Sequence, residues 1–173
     1  NIAGAMMCAI LSDTVIFKSP TCTTADIKCV EALAEIAGIE NPTELGMDMF
    51  KVKSAVEGTP VRDLVLRDFK DFNMNGSLVG IGQLEVIDLA VFDDMKADLA
   101  ADIAKLKAEG NRHSVLLLLT DIMKEGSELL IASDSDTLAE QAFGVVPKDG
   151  KAWLDGVLSR KKQVVPPLQE VFA

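Results

Sequence analysis

Positive charge is scarce in this chain: 17 Lys and Arg residues stand against 27 Asp and Glu, for a net charge of −10 over 173 residues. An acidic surface repels nucleic acid and anionic membranes, so both are excluded as general partners. Any anionic ligand must therefore be held by a local cluster. Histidine is nearly absent. The one copy, His113, lies in a polar loop beside Gly110-Asn111-Arg112 and reads as surface. The three cysteines, Cys8, Cys22 and Cys29, are odd in number and show no metal-ligand spacing. Reduced thiols and a cytoplasmic location are the expectation. No apolar run reaches the length of a bilayer span, and no signal-peptide pattern, internal repeat or low-complexity tract is present. An initiator Met is missing as well: the chain opens Asn1-Ile2-Ala3-Gly4-Ala5-Met6-Met7, as if already inside a buried helix, and reads as a piece of a longer protein.

What is there is globular composition, 49% hydrophobic and 25% charged, which excludes disorder. Residues 2–12 read as a helix packed on most sides. Thr23 with Asp26 forms a capping box for a helix ended by Gly38. Asn41-Pro42-Thr43-Glu44 starts another, expected to run to about Val56 with Gly58 as its stop. The polar stretch from Lys51 to Pro60 is the domain boundary, giving units 1–52 and 53–173. A short helix follows Thr59-Pro60. Asn75-Gly76 predicts a hairpin pairing residues 68–74 with 77–87. Lys70, Phe72 and Met74 share one face of its first arm, and Gly80 and Gly82 leave room on the second. Asp88 caps a helix expected to carry Val91, Met95, Leu99, Ile103 and Leu106 to a stop at Gly110. Ser114–Thr120 is a continuous apolar run, the mark of a strand covered on both faces, paired antiparallel with 127–132. Helices are expected over 134–143 and 148–158. The fold class is α/β, a mixed sheet flanked by helices.

Two stretches carry chemistry. Ser159-Arg160-Lys161-Lys162-Gln163-Val164-Val165-Pro166-Pro167 gathers three cations in an acidic chain. Arg offers a planar fork suited to phosphate or carboxylate, and Lys a mobile point charge. A bare charge run is commonly just a solvated turn. Asp13 stands between two apolar runs, where it caps a helix or turn, or serves as ligand to a hard or borderline cation such as Mn2+ or Mg2+. A lone Lys70 on a hairpin is ordinarily solvated.

Leu11-Ser12-Asp13-Thr14-Val15-Ile16-Phe17-Lys18-Ser19-Pro20-Thr21-Cys22-Thr23 and Ser159-Arg160-Lys161-Lys162-Gln163-Val164-Val165-Pro166 both resemble the family II, manganese-dependent inorganic pyrophosphatases of the DHH phosphoesterase superfamily. The resemblance covers essentially the whole chain. It implies a metal-binding domain carrying the DHH motif, of which 1–52 is the tail, and a DHH-associated domain, 53–173, that closes over the substrate. It implies that Asp13 ligates metal (Mn2+, or Co2+ or Mg2+) and that Arg160, Lys161 and Lys70 bind pyrophosphate. Lys162 is a weaker match. The DHH triplet and the family's other metal ligands are absent here, so the polypeptide alone is expected to be inactive. It is expected to be monomeric without the missing N-terminal domain, through which family members pair as homodimers. The alternatives are an exopolyphosphatase of the same superfamily and a non-catalytic anion-binding or interaction domain.

Overall fold

The computed structural model describes residues 2–173, and the chain folds as two compact units divided after Ala55. In the first, α1 (Ile2–Asp13) packs against α2 (Thr24–Ala37) and α3 (Pro42–Lys53). Buried Met7, Leu11, Val30, Ala34 and Phe50 belong to these helices. The capping box is present: the Asp26 N–H donates to Thr23 Oγ1 at 3.3 Å, and the Thr23 N–H donates to Asp26 Oδ2 at 2.8 Å. Gly38 closes α2 in the left-handed conformation. Asn41 caps α3 by accepting from the Glu44 N–H. This helix stops at Lys53, three residues short of the expected end. There the Ser54 hydroxyl donates back to the Phe50 carbonyl at 2.6 Å and competes with continuation of the helix.

The turn after α1 is unusual. Val15, Ile16 and Phe17 hold φ of 51°, 52° and 66°, a full left-handed turn without glycine. For L-residues this costs roughly 1–2 kcal/mol each. Burial of Val15 and Ile16 offsets it. Gly46 of α3 makes the room, since a Cβ there would lie 3.1 Å from Ile16 Cγ1. The Thr14 hydroxyl donates to the Ile10 carbonyl at 2.7 Å and accepts from the Phe17 N–H, bracing the turn from inside.

The second unit, Val56–Ala173, is built on a five-stranded sheet in the order β1 (Phe69–Met74), β2 (Ser77–Val86), β3 (Ser114–Asp121), β4 (Gly126–Ser133), β5 (Lys151–Asp155). Only the β2–β3 pair is parallel, so the sheet is mixed, as expected. Asn75 and Gly76 sit at φ 50° and 90°, both positive, as the two-residue hairpin turn demands. Every residue of β3 is buried. Its alternation feeds two cores. Val115, Leu117 and Leu119 face one with α4 (Val61–Leu66) and α5 (Lys96–Glu109); Leu116 and Leu118 face the other with α6 (Leu138–Phe143) and α7 (Val165–Val171). The space at Gly80 and Gly82 is filled by packing: the Phe69 ring lies where a Gly80 side chain would stand, and Leu117 and the Val65 carbonyl crowd Gly82.

Four expectations for this unit are corrected. The helix after Asp88 is broken. Asp88 caps only a 3-10 turn, Leu89–Phe92, and α5 begins afresh at Lys96. Residues 134–137 form a turn rather than the start of α6, with Asp134 drawn away by an ion pair to Lys107. The helix expected over 148–158 is strand β5. Pairing with β4 decides it, and the Trp153 ring covers Gly126, whose Cβ would lie 2.2 Å from Cζ2. His113 is half-buried rather than a surface residue: its ring stands edge-on to Phe172 at 5.0 Å, and Nδ1 is 2.7 Å from Ser114 Oγ.

A cation turn on a polar strip: the candidate anion site

The cationic stretch leaves β5 and lies on the α7 side of the sheet. There a row of polar side chains interrupts the apolar face. Gln83 of β2, Thr120 of β3 and Ser127 of β4 are all buried and lie side by side. The Gln83 amide donates to Thr120 Oγ1 and to the Leu158 carbonyl, each at 3.0 Å. The Thr120 and Ser127 hydroxyls are 2.8 Å apart, and Ser127 donates to the Val157 carbonyl at 2.7 Å. Gln163 completes the tether: its Oε1 accepts from the Leu158 and Ser159 N–H groups at 3.0 Å, and its Nε2 donates to the Gly156 carbonyl. Residues 156–163 therefore satisfy their main chain on the sheet and on themselves, which removes freedom from the cations they carry.

Residues 160–164 form a wide π-type turn, opened by Ser159, whose hydroxyl accepts from the Lys162 N–H. Such turns recur at functional sites. Arg160 is buried. Its main-chain N–H donates to Gln83 Oε1 at 3.3 Å. Its Nη1 donates to the Asp68 carbonyl at 2.6 Å and to the Ile81 carbonyl at 2.9 Å, and its Nη2 to Asp68 Oδ1 at 2.7 Å. A buried charge must be paired or well bonded, and this one is both. Lys161 and Lys162 point outward and are exposed.

Lys70, exposed on edge strand β1, is the register partner of Ile81, whose carbonyl holds Arg160. Alternation puts Lys70 on the same face as Phe72 and Met74, the face that α7 covers. Arg160, Lys161 and Lys70 thus gather at one side of the sheet. Among the described residues neither the Lys70 nor the Lys161 ammonium has a carboxylate partner. Asp13 belongs to the other unit, where it is exposed as the last residue of α1. The Thr21 hydroxyl donates to its carbonyl at 3.4 Å, steadying the main chain there. Among the described residues no group of three or more His, Cys, Asp or Glu side chains is placed to hold a metal ion. A hard-cation centre needs several ligands. The residues of this chain do not by themselves fit a manganese centre.

Gln83, Gln163 and Asp68 were not singled out from the sequence. The available signal was polar residues inside apolar strands. Gln83 interrupts the apolar second arm of the hairpin, Thr120 and Ser127 stand at the ends of the two apolar runs, and the antiparallel pairing of 114–120 with 127–132 brings the last two together.

This architecture is a mixed sheet sandwiched by helices, with a basic turn laid over one face. The chain belongs to the DHHA2 domain family, which matches residues 47–171. It is 46% identical over 173 residues to a manganese-dependent inorganic pyrophosphatase of Methanocaldococcus jannaschii, covering 99% of this chain and 56% of that protein. It is 44% identical to a cobalt-dependent inorganic pyrophosphatase of Clostridium perfringens, covering 98% of this chain and 31% of that one. A crystal structure described as that of a Methanococcus jannaschii family II inorganic pyrophosphatase superposes with a TM-score of 0.92 at 44% identity, over 98% of this chain and 55% of that chain. The chain spans about half the length of most of the curated relatives it matches. The resemblance to family II pyrophosphatases is borne out. No helix among the described residues is long and apolar enough to cross a membrane.

Proposed function

We propose that the full-length protein carrying this sequence hydrolyses inorganic pyrophosphate to two phosphates, and that this chain supplies the residues that grip the substrate. The observation that carries the reading is the cation turn. In a chain of net charge −10, Arg160 is bonded to the carbonyl of Ile81, the register partner of Lys70, and Lys161 follows it in the same turn. Lys70 and Lys161 place point charges on the phosphoryl oxygens, and Arg160 adds directed N–H donors, so charge that builds up on the departing phosphate is neutralised in place. Residues 1–52 are proposed as the end of a metal-binding DHH domain, in which Asp13 joins ligands from outside this chain. Residues 53–173 are proposed as the substrate-binding domain. The polypeptide by itself is then inactive, and the full-length enzyme is a cytoplasmic homodimer.

The test is phosphate release by the full-length protein with Mn2+. Pyrophosphate should be cleaved far faster than long polyphosphate; the reverse preference would instead make it an exopolyphosphatase. Lys161→Ala should raise KM for pyrophosphate about tenfold or more, the loss of one charge-assisted contact. An unchanged KM removes Lys161 from the site. No hydrolysis with tight pyrophosphate binding would leave a binding domain only.

A further inference from the structure

We infer that Asp68 is a positioning residue for Arg160, fixing which edge of the guanidinium is presented to the phosphate; this rests on the pyrophosphate reading above. An arginine has five N–H donors in a rigid plane. Three are already used. Nη1 spends both hydrogens on the carbonyls of Asp68 and Ile81, and Nη2 spends one on Asp68 Oδ1. The two carbonyls do not move independently. Ile81 lies inside β2, and the Asp68 carbonyl also accepts from the Gln83 N–H at 3.1 Å. They pin Nη1 like a pivot. The Asp68 carboxylate then fixes the rotation that a pivot leaves free.

What remains is Nε–H and the second hydrogen of Nη2, neither with an acceptor among the described residues. The Asp68 carbonyl and carboxylate sit together across the Nη1/Nη2 end of the guanidinium, so the Nη2 hydrogen left over is the one on the Nε side, and it lies with Nε–H along one edge of the plane. That edge is the two-donor fork that matches a pair of phosphate oxygens. Among the described residues Asp68 also supplies the only full negative charge on a guanidinium whose side chain is 9% exposed, while its own side chain is 52% exposed. The main-chain end of Arg160 is held separately by Gln83, so the side chain stands between two fixed points. Asp68 touches no substrate atom in this arrangement and acts through Arg160.

The experiment compares wild type, Asp68→Ala and Asp68→Asn in the full-length protein, by steady-state kinetics on pyrophosphate and by NMR of the Arg160 side-chain N–H groups. Asp68→Ala should raise KM about tenfold, with kcat changed by less than about threefold, the effect of losing one charge-assisted bond. Asp68→Asn, whose amide oxygen still accepts from Nη2, should recover most of that loss. The Arg160 Nη hydrogens should give separate, slowly exchanging signals in wild type and Asp68→Asn, and merge in Asp68→Ala. Asp68→Ser, too short to reach Nη2, replaces Asp68→Ala should the latter not fold. A KM unchanged in Asp68→Ala with only thermal stability lowered overturns the inference and leaves a plain ion pair. A KM that falls in both variants overturns it too, because Asp68 would then be competing with the substrate. If wild type neither binds nor cleaves pyrophosphate but the Nη signals behave as stated, the functional reading fails and the positioning stands. If the signals do not respond to Asp68→Ala, the positioning fails.

Discussion

Gln83→Met removes a hydrogen-bonding hub while nearly keeping side-chain length and volume, so its cost reads the hub directly. Three bonds disappear: to Thr120 Oγ1, to the Leu158 carbonyl and from the Arg160 N–H. Thr120 keeps its partner Ser127 at 2.8 Å and is not orphaned. The Leu158 carbonyl and the Arg160 N–H are. Each buried main-chain group left unpaired costs about 1–3 kcal/mol. The Arg160 bond, at 3.3 Å, is at the long end of the range and counts at the low end of that cost. Burying the more apolar Met recovers about 1 kcal/mol. The net expectation is a loss of about 2–3 kcal/mol. Urea unfolding followed by tryptophan fluorescence measures it, because Trp153, the only tryptophan, sits on β5 in the same sheet. The midpoint should fall with an unchanged m-value. A loss below about 0.5 kcal/mol, within the range of ordinary surface substitutions, would refute the claim that Gln83 ties the cation turn to the sheet.

Other outcomes can be checked on the same protein. Gly126→Ala places a Cβ within 2.2 Å of the Trp153 ring, so the ring must leave its seat. Fluorescence should shift red and the unfolding midpoint drop, and an unchanged spectrum would mean the ring is not seated there. Thr23→Ala removes the acceptor for the Asp26 N–H and should cost about 1 kcal/mol in thermal or urea unfolding. The Thr23 hydroxyl bond, and then the Thr23 N–H bond, hold the Asp26 carboxyl below its ordinary range. Hydrogen bonds from Arg62 and Lys107 do the same for Glu109 and Asp134. A carboxyl depressed by folding contributes stability above its unfolded pKa near 4, and that contribution is lost as pH falls through the lower folded value. Stability should therefore decline from pH 5 toward pH 2, and Glu109→Gln should flatten part of that slope in urea titrations at each pH.

Local chemistry was legible wherever one residue type forces one conformation. Asn75-Gly76 fixed the hairpin, Thr23 and Asp26 the start of α2, Gly38 its end, and the Ser114–Thr120 run the central strand. Where two structures compete on nearly equal terms, the sequence does not decide. Lys151-Ala152-Trp153-Leu154-Asp155 is short enough to be helix or strand, and only the empty seat over Gly126 and pairing with β4 choose the strand. The candidate cations Lys70, Arg160 and Lys161 were named from the motif resemblance, and the structure brings them to one face. Their support was not readable. Asp68 lies 92 residues from Arg160, and Gln83 looks like an ordinary interruption in a strand until the turn is laid over it.

The left-handed turn after Asp13 has a consequence for tolerance to mutation. Val15 and Ile16 are among the residues least suited to positive φ, yet their side chains are buried. Glycine would relax the backbone and empty the interior; a large apolar residue would fill the interior and keep the backbone strained. No single substitution satisfies both demands. A side chain gained at Gly46 would then crowd the return of a lost Ile16, because the missing Gly46 side chain is the space Ile16 occupies. The two positions should vary together or not at all, and a saturation library over 15–17 should be far more permissive when Gly46 is varied with it.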